Sequence, residues 1–382
     1  MRLITLSTIL TLLLIGCGDT TTPGGSGSGG GAAGSGGNAG GGGSGGTGEF
    51  TATLSHAYDP IAVEVGEELV NICQSWVLDN DEPIYVQKVR QTNDGAWHHS
   101  NWFFVPETFY EPTAAEGPDA KLEGTWNCRD RDFGESKSAL VGGVFFAQST
   151  QALEEVQAFP EGAAFEIPPR SVIVGSVHLL NVTAAPITSA MTLEIESIPA
   201  DDVDVLLGIY SFAISDLKIP PAVDGVPTES RTAMTCDLRP EFQRFFEEDV
   251  VDYNIYYVLG HYHKWGNFFN LSFVQEDGTR NTVFEIKNRI GEPIGSIIDP
   301  PMNNNGAPML RSECGFINNT DATLTRGLQD GEMCDFLAYT DAGLTMGAGG
   351  GSNDGIPDGD ADGVPVHELD CGELTAFQTY RD

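Results

Sequence analysis

Five of the seven histidines in this 382-residue chain, with one methionine, stand in the order His98-His99, His178, His261-Tyr262-His263 and Met333-Cys334. Imidazole combined with thioether suits a copper that cycles between Cu(I) and Cu(II), because thioether binds Cu(I) well and hard cations poorly. Redox copper chemistry is therefore expected of these residues, not structural zinc, and the absence of any Cys-x-x-Cys agrees. The division into His98, His99 and His178 in one half and His261, His263 and Met333 in the other predicts two metal sites.

Residues two apart in a strand share a face, so His261 and His263 can reach one ion from a regular strand. Adjacent His98 and His99 would point to opposite faces. Binding one ion with both requires a bulge, a strand end or different ring nitrogens, and the preceding Asn93-Asp94-Gly95 suggests such an irregularity. Short β-branched and aromatic runs separated by turn residues supply the strands: 68–73, 84–90, 142–147, 171–179, 191–198, 253–260, 268–274 and 282–288. This spacing predicts an all-β chain of antiparallel sandwiches. One helix is expected over Pro240–Asp249, where Phe242, Phe245 and Phe246 share a face, as a packing element. A boundary near Ala200–Val205 divides the chain into domains 49–203 and 204–382.

Residues 1–16 carry one cation, Arg2, and an apolar run ending Leu14-Ile15-Gly16-Cys17, which reads as a lipoprotein signal with lipid on Cys17. Gly18 follows with no Asp, which points to the bacterial outer membrane. Residues 17–48 are mostly Gly, Ser, Thr, Ala and Asn, a flexible tether spanning about 30 Å. No second apolar run reaches membrane-spanning length, so the lipid is the expected anchor. The net charge of -36 repels nucleic acid and anionic lipid, leaving neutral or cationic small molecules as candidate substrates. With Cys17 lipidated, the even set Cys73, Cys128, Cys236, Cys314, Cys334 and Cys371 argues for three disulfides in an exported protein and leaves their pairing open.

The order HH, distant His, HxH, then Met beside Cys resembles the copper type II, ascorbate-dependent monooxygenases, the family of peptidylglycine α-hydroxylating monooxygenase and dopamine β-monooxygenase. The likeness covers most of Phe50–Tyr339 and is most specific at Trp97-His98-His99, Gly175-Ser176-Val177-His178, Gly260-His261-Tyr262-His263 and Cys314 through Gly331-Glu332-Met333-Cys334. It implies two jelly-roll-like sandwich domains with a catalytic cleft between them. It also implies an electron-transfer copper on His98, His99 and His178, and an oxygen-binding copper on His261, His263 and Met333. The disulfides it implies are Cys73–Cys128, Cys314–Cys334 and Cys236–Cys371. The activity implied is hydroxylation of a C–H bond with O2 and ascorbate or a substitute.

Departures from the family concern substrate. Leu259 and Leu337 stand where peptide-hydroxylating members carry the Arg and Tyr that bind a terminal carboxylate. Ser176 replaces a glutamine, and Ser100 replaces the Met after HH. Asp335, two residues after Met333, is a candidate partner for an amine substrate. The run Gly349–Pro365 is expected as an acidic loop whose Asp358, Asp360 and Asp362 copy half of a calcium site, although Leu369 occupies the twelfth position. His56 and His367 read as surface or loop residues. The alternatives are a copper-storage lipoprotein, an adhesion module with remnant ligands, and a cupin dioxygenase. The last is disfavoured because the next Glu after His263 is Glu276.

Overall fold

A computed structural model describes residues 50–106, 123–128, 143–148, 152–248, 250–287, 295–327, 331–350 and 359–378. The proposed signal, Cys17 and the tether lie outside them. Among the described residues the chain is all-β, as expected. The first half supplies β1 (Leu54–Val63), β2 (Glu68–Val77), β3 (Ile84–Asn93), β4 (Trp97–Pro106), β5 (Gly124–Asn127), β6 (Val144–Gln148), β7 (Glu154–Ala158), β8 (Ala163–Ile167), β9 (Ser171–Leu180), β10 (Ile187–Ile198) and β11 (Val205–Leu206). They form one sheet in the order β1-β10-β3-β8-β11, with β7 also on β3, and a second in the order β5-β2-β9-β4-β6.

The sequence pattern explains the layering. In β10 the side chains of Ser189, Met191, Leu193 and Ile195 are buried while their neighbours are not. The outer face carries the cross-strand ion pairs Lys88–Glu196 and Arg90–Glu194, both 2.7 Å. Strands β4 and β9 are buried along most of their length, as expected for the layer covered on both faces.

The second half supplies β12 (Gly208–Ala213), β13 (Lys218–Ile219), β14 (Thr228–Asp237), β15 (Asn254–His261), β16 (Gly266–Val274), β17 (Arg280–Lys287), β18 (Ser296–Asn303), β19 (Met309–Asn318), β20 (Leu324–Thr325), β21 (Asp335–Thr340), β22 (Leu344–Gly350), β23 (Gly359–Ala361) and β24 (Val364–Gln378). Strand β24 runs parallel to β14 as far as Asp370, then antiparallel to β22 from Cys371, so one long strand turns the corner between two layers. Helix α1 (Arg239–Phe246) packs Phe242, Phe245 and Phe246 on this core and ends at Glu247, which adopts a left-handed conformation.

All three disulfides join the implied partners: Cys73–Cys128, Cys236–Cys371 at the corner of β24, and Cys314–Cys334. Among the described residues, strands up to Leu206 pair with each other and strands from Gly208 pair with each other. The apolar interior does not stop there. Leu207, Ile209, Tyr257, Leu259, Leu337 and Tyr339 belong to the same buried cluster as Phe145, Phe159 and Phe165. Tyr339 packs on Phe159 with ring centroids 4.6 Å apart, and its hydroxyl donates to Val144 O (3.2 Å) and accepts from Gln157 Nε2 (3.1 Å).

Three expectations need correction here. His367 is buried on β24, opposite Thr232 of β14, because that strand is interior and not a loop. His56 lies on β1 with its ring stacked on Trp76 at 5.1 Å. The acidic run closes into a hairpin over Gly359–Val366, turning at Asp362 and Gly363, both with positive φ. Asp358 lies outside the described residues, and Asp362 pairs with Arg231 at 3.6 Å.

Candidate metal centre

Strand β4 begins after a turn in which Gly95 and Ala96 both have positive φ (109° and 63°). In the β4–β9 ladder Trp97 faces Leu179 and His99 faces His178, so His98 is the extra residue of a bulge. The bulge turns adjacent histidines toward one place. Ring centroids lie 4.9 Å apart for His98 and His178, 4.5 Å for His99 and His178, and 5.4 Å for His98 and His99.

The HxH pair straddles a strand end instead of lying inside a strand. Tyr257, Leu259 and His261 form one row of β15 by period-two alternation, and the row ends at His261. Tyr262 is then fully buried, His263 enters the turn, and Gly266 reopens the chain as β16. A Cβ at Gly266 would meet the Tyr262 ring at 2.0 Å, so the turn requires glycine there. His261 and His263 still face each other, with ring centroids 5.1 Å apart.

Glu332 fastens this turn from below. Its side chain is fully buried and accepts the backbone N–H groups of His263 (2.8 Å), Trp265 (2.7 Å) and Met333 (3.3 Å). Burial raises its carboxyl to about 7 despite these bonds. The Cys314–Cys334 bridge secures the next residue to β19, and Met333 itself is half-buried between the two anchors.

The expected cleft is closed at this point. His99 stands 5.5 Å from His261 and 5.9 Å from His263, ring centroid to ring centroid, so the two groups form one five-ring cluster. The shared apolar core below explains the approach, since Leu259 and Leu337 are buried in it beside the histidines. Those two leucines are cross-strand partners, 3% and 5% exposed, and are packing residues instead of substrate contacts. Asp335 is likewise committed: its carboxylate accepts both Arg326 Nη1 (2.6 Å) and Nη2 (2.8 Å), which removes it as a free counter-ion for an amine.

All five imidazoles are held in the neutral form that metal ligation needs. Desolvation is the largest cause in every case. It takes His98 to about 4, with His178 and His263 adding to the effect, and His261 to about 3, with His263 adding. It also lowers His99 strongly, and His178 and His263 to a lesser degree.

The ring nitrogens are not equivalent. His178 Nε2 lies 2.7 Å from Glu68 Oε1. A carboxylate only accepts, so Nε2 carries the proton and Nδ1 is left with a lone pair. That lone pair meets His99 Nε2 at 2.7 Å. In His263 the roles reverse: Nδ1 donates to Gly331 O (3.1 Å), and Nε2 is buried without a hydrogen-bond partner.

These observations test the fit of a soft cation. A buried imidazole lone pair with no donor costs free energy that a metal would relieve, and two nitrogens 2.7 Å apart match adjacent ligands with bonds of about 2.0 Å. Among the described residues, no three His, Cys, Asp or Glu side chains already converge as a ligand set. His99 and His178 spend one nitrogen each on the other, across 2.7 Å. The donor chemistry fits a soft cation.

Sequence reasoning missed Glu68 and Glu332. Glu332 lies inside the Gly331-Glu332-Met333-Cys334 stretch, where an acid beside two functional residues was a usable signal. Glu68 had none, being 110 residues from His178.

No protein-family model matches the chain, and no curated protein matches it. Among solved structures, the PBSX exported protein XepA overlaps 75% of this chain and 86% of its own at 6% identity, with a TM-score of 0.19. The infectious bursal disease virus VP2 subviral particle overlaps 77% and 73% at 8% identity (TM-score 0.20). A secreted protein from Parabacteroides distasonis overlaps 75% and 88% at 9% identity (TM-score 0.17). Overlaps this loose carry no argument about function.

Proposed function

We propose that the protein is a copper-dependent monooxygenase that hydroxylates a C–H bond of a small organic substrate, using O2 and ascorbate or an equivalent one-electron reductant. The observation that carries this reading is the clustering of five neutral histidine rings from both halves of the chain, with Met333 held in the same turn as His263 by Glu332. His98, His99 and His178 would hold one copper, and His261, His263 and Met333 a second. Bound copper would supply the one-electron redox chemistry and oxygen activation that no side chain of this cluster has alone.

The chain's own contribution is positional. The bulge at His98 aims adjacent rings to one side, Glu332 keeps His263 and Met333 in one turn, and burial keeps the imidazoles unprotonated. The three disulfides support an oxidising, extracytoplasmic location, consistent with a lipid-anchored form at the outer membrane.

The direct packing of His99 on His261 and His263 favours one other reading, a copper-binding lipoprotein without turnover. Loading the full chain with copper and following ascorbate-dependent O2 uptake against amines, phenols and peptides separates the two. Two coppers per chain with substrate-dependent uptake is the expected result. Copper without such uptake selects storage, and a chain that takes up no copper sinks both.

A further inference from the structure

Glu68 lies outside every motif of the sequence, yet its carboxylate reaches a ring of the histidine cluster, with Oε1 2.7 Å from His178 Nε2. It stands at the start of β2, opposite Leu180 in the β2–β9 ladder and one step diagonally from His178. The ladder shifts register between Leu69 and Ile72, where Asn71 takes a left-handed conformation (φ 61°). That irregularity sets the first residues of β2 apart from the regular pairing beyond Ile72. The Glu68 side chain keeps 22% exposure, whereas the His178 side chain keeps 7%. A partly hydrated carboxylate therefore reaches in to a buried ring.

We propose that Glu68 is the positioning residue of the first histidine group: it holds the Nε2–H of His178 and so presents the Nδ1 of His178 to the metal. The inference deepens the copper reading and rests on it for the identity of the ion.

The chemistry follows from the direction of the bonds. Glu68 takes the His178 Nε2 proton, His178 Nδ1 becomes an acceptor, and His99 Nε2 donates to it across 2.7 Å. One carboxylate thereby sets the tautomers of two rings in series. When a cation takes the His178 Nδ1 lone pair, the hydrogen bond from His99 breaks and the His99 proton passes from Nε2 to Nδ1 by exchange with water, which frees Nε2 as a donor. His178 is already in the tautomer that binds, and the carboxylate strengthens it as a donor. Without Glu68, His178 would populate both neutral tautomers, and only part of the population would be in the tautomer that binds through Nδ1. Partners of this kind typically change metal affinity by about 10–100-fold.

The test uses the full chain and two variants, Glu68→Ala and Glu68→Gln. In the metal-free parent, 15N NMR of the histidine rings at neutral pH should show His178 as a single tautomer protonated at Nε2. Glu68→Ala should mix the tautomers. Glu68→Gln, whose side-chain carbonyl can still accept, should restore the parent pattern. Titration with copper alone should show the affinity of one site about 10–100-fold weaker in Glu68→Ala and the other unchanged. If Glu68→Ala does not fold, the parent and the Gln variant decide the matter, because a parent His178 protonated at Nδ1 overturns the proposal outright. An Ala variant that keeps both the single tautomer and the parent affinity also overturns it. Failure of the parent to bind copper would remove the copper reading, while the tautomer measurement would still decide the role of Glu68.

Discussion

The two histidine groups are built by different means. His98, His99 and His178 belong to a ladder of paired strands, and one local irregularity, the bulge at His98, aims them. His261 and His263 leave their strand, and their geometry depends on tertiary ties: the Glu332 carboxylate under three backbone N–H groups and the Cys314–Cys334 bridge beside Met333. The anchoring bonds also run through opposite ring nitrogens, Nε2 in His178 and Nδ1 in His263. The difference teaches that histidine rings can be gathered mainly by backbone pairing, with one carboxylate on one ring, or by long-range fasteners around an irregular turn. The second solution is the more vulnerable to single substitutions.

The sharpest way to break the comparison is Met333→His. Thioether favours Cu(I) and a third imidazole favours Cu(II), so on the proposed copper monooxygenase function copper content should stay near the parent's while hydroxylation falls by orders of magnitude. X-ray absorption of the reduced protein should lose its Cu–S component in parallel. A variant that hydroxylates at the parent rate would make the two groups functionally alike.

Next in size is Glu332→Ala. It strips the acceptor from the buried N–H of His263 and the part-buried N–H groups of Trp265 and Met333. With about 1–3 kcal/mol for an unmet buried donor, denaturant unfolding should show a loss of about 3 kcal/mol. The matching change in the ladder-built group, Glu68→Ala, should cost only about 1 kcal/mol, because the β2–β9 backbone bonds remain. Equal losses would contradict the contrast.

Replacing both Cys314 and Cys334 by Ser should destabilise by about 3 kcal/mol, from the loop of 20 residues they close. It should also broaden the NMR signals of His261 and His263 while leaving those of His98 and His178 sharp. Broadening of all four alike would mean that the anchors are shared.

The smallest effect is on pH dependence. Histidines whose folded pKa lies below 6.5 bind fewer protons folded than unfolded. Their contribution is present above pH 6.5 and is lost as pH falls from 6.5 toward the folded values near 4 and 3. Glu332 has the opposite sign, since its raised carboxyl contributes most below 4.5 and loses that contribution as pH rises toward 7. Unfolding midpoints of the metal-free protein should therefore fall on acidification below 6.5, and fall more steeply once Glu332 is replaced by Gln. A midpoint that rises on acidification would show that the rings are not buried as described.

The sequence by itself determined the parts whose information is local. Alternation in runs such as 191–198 and 268–274 marks strands because side chains in a strand change face at every residue. The three phenylalanines at helical spacing marked α1. Gly95 marked an irregularity before His98, and the even set of six cysteines marked three bridges. What only the tertiary structure decided is where separate segments meet. Leu259 and Leu337 read as substrate contacts because the resemblance places them two residues before His261 and four after Met333, yet the β15–β21 register turns them into the core shared by both halves. His367 read as a loop residue because nothing near it shows that β24 pairs with β14. The contact of His99 with His261 joins residues 162 positions apart in sequence, and the Glu68–His178 bond spans 110. Such pairings depend on burial of both apolar faces at once, a property of the assembled sheets that no window of the chain contains.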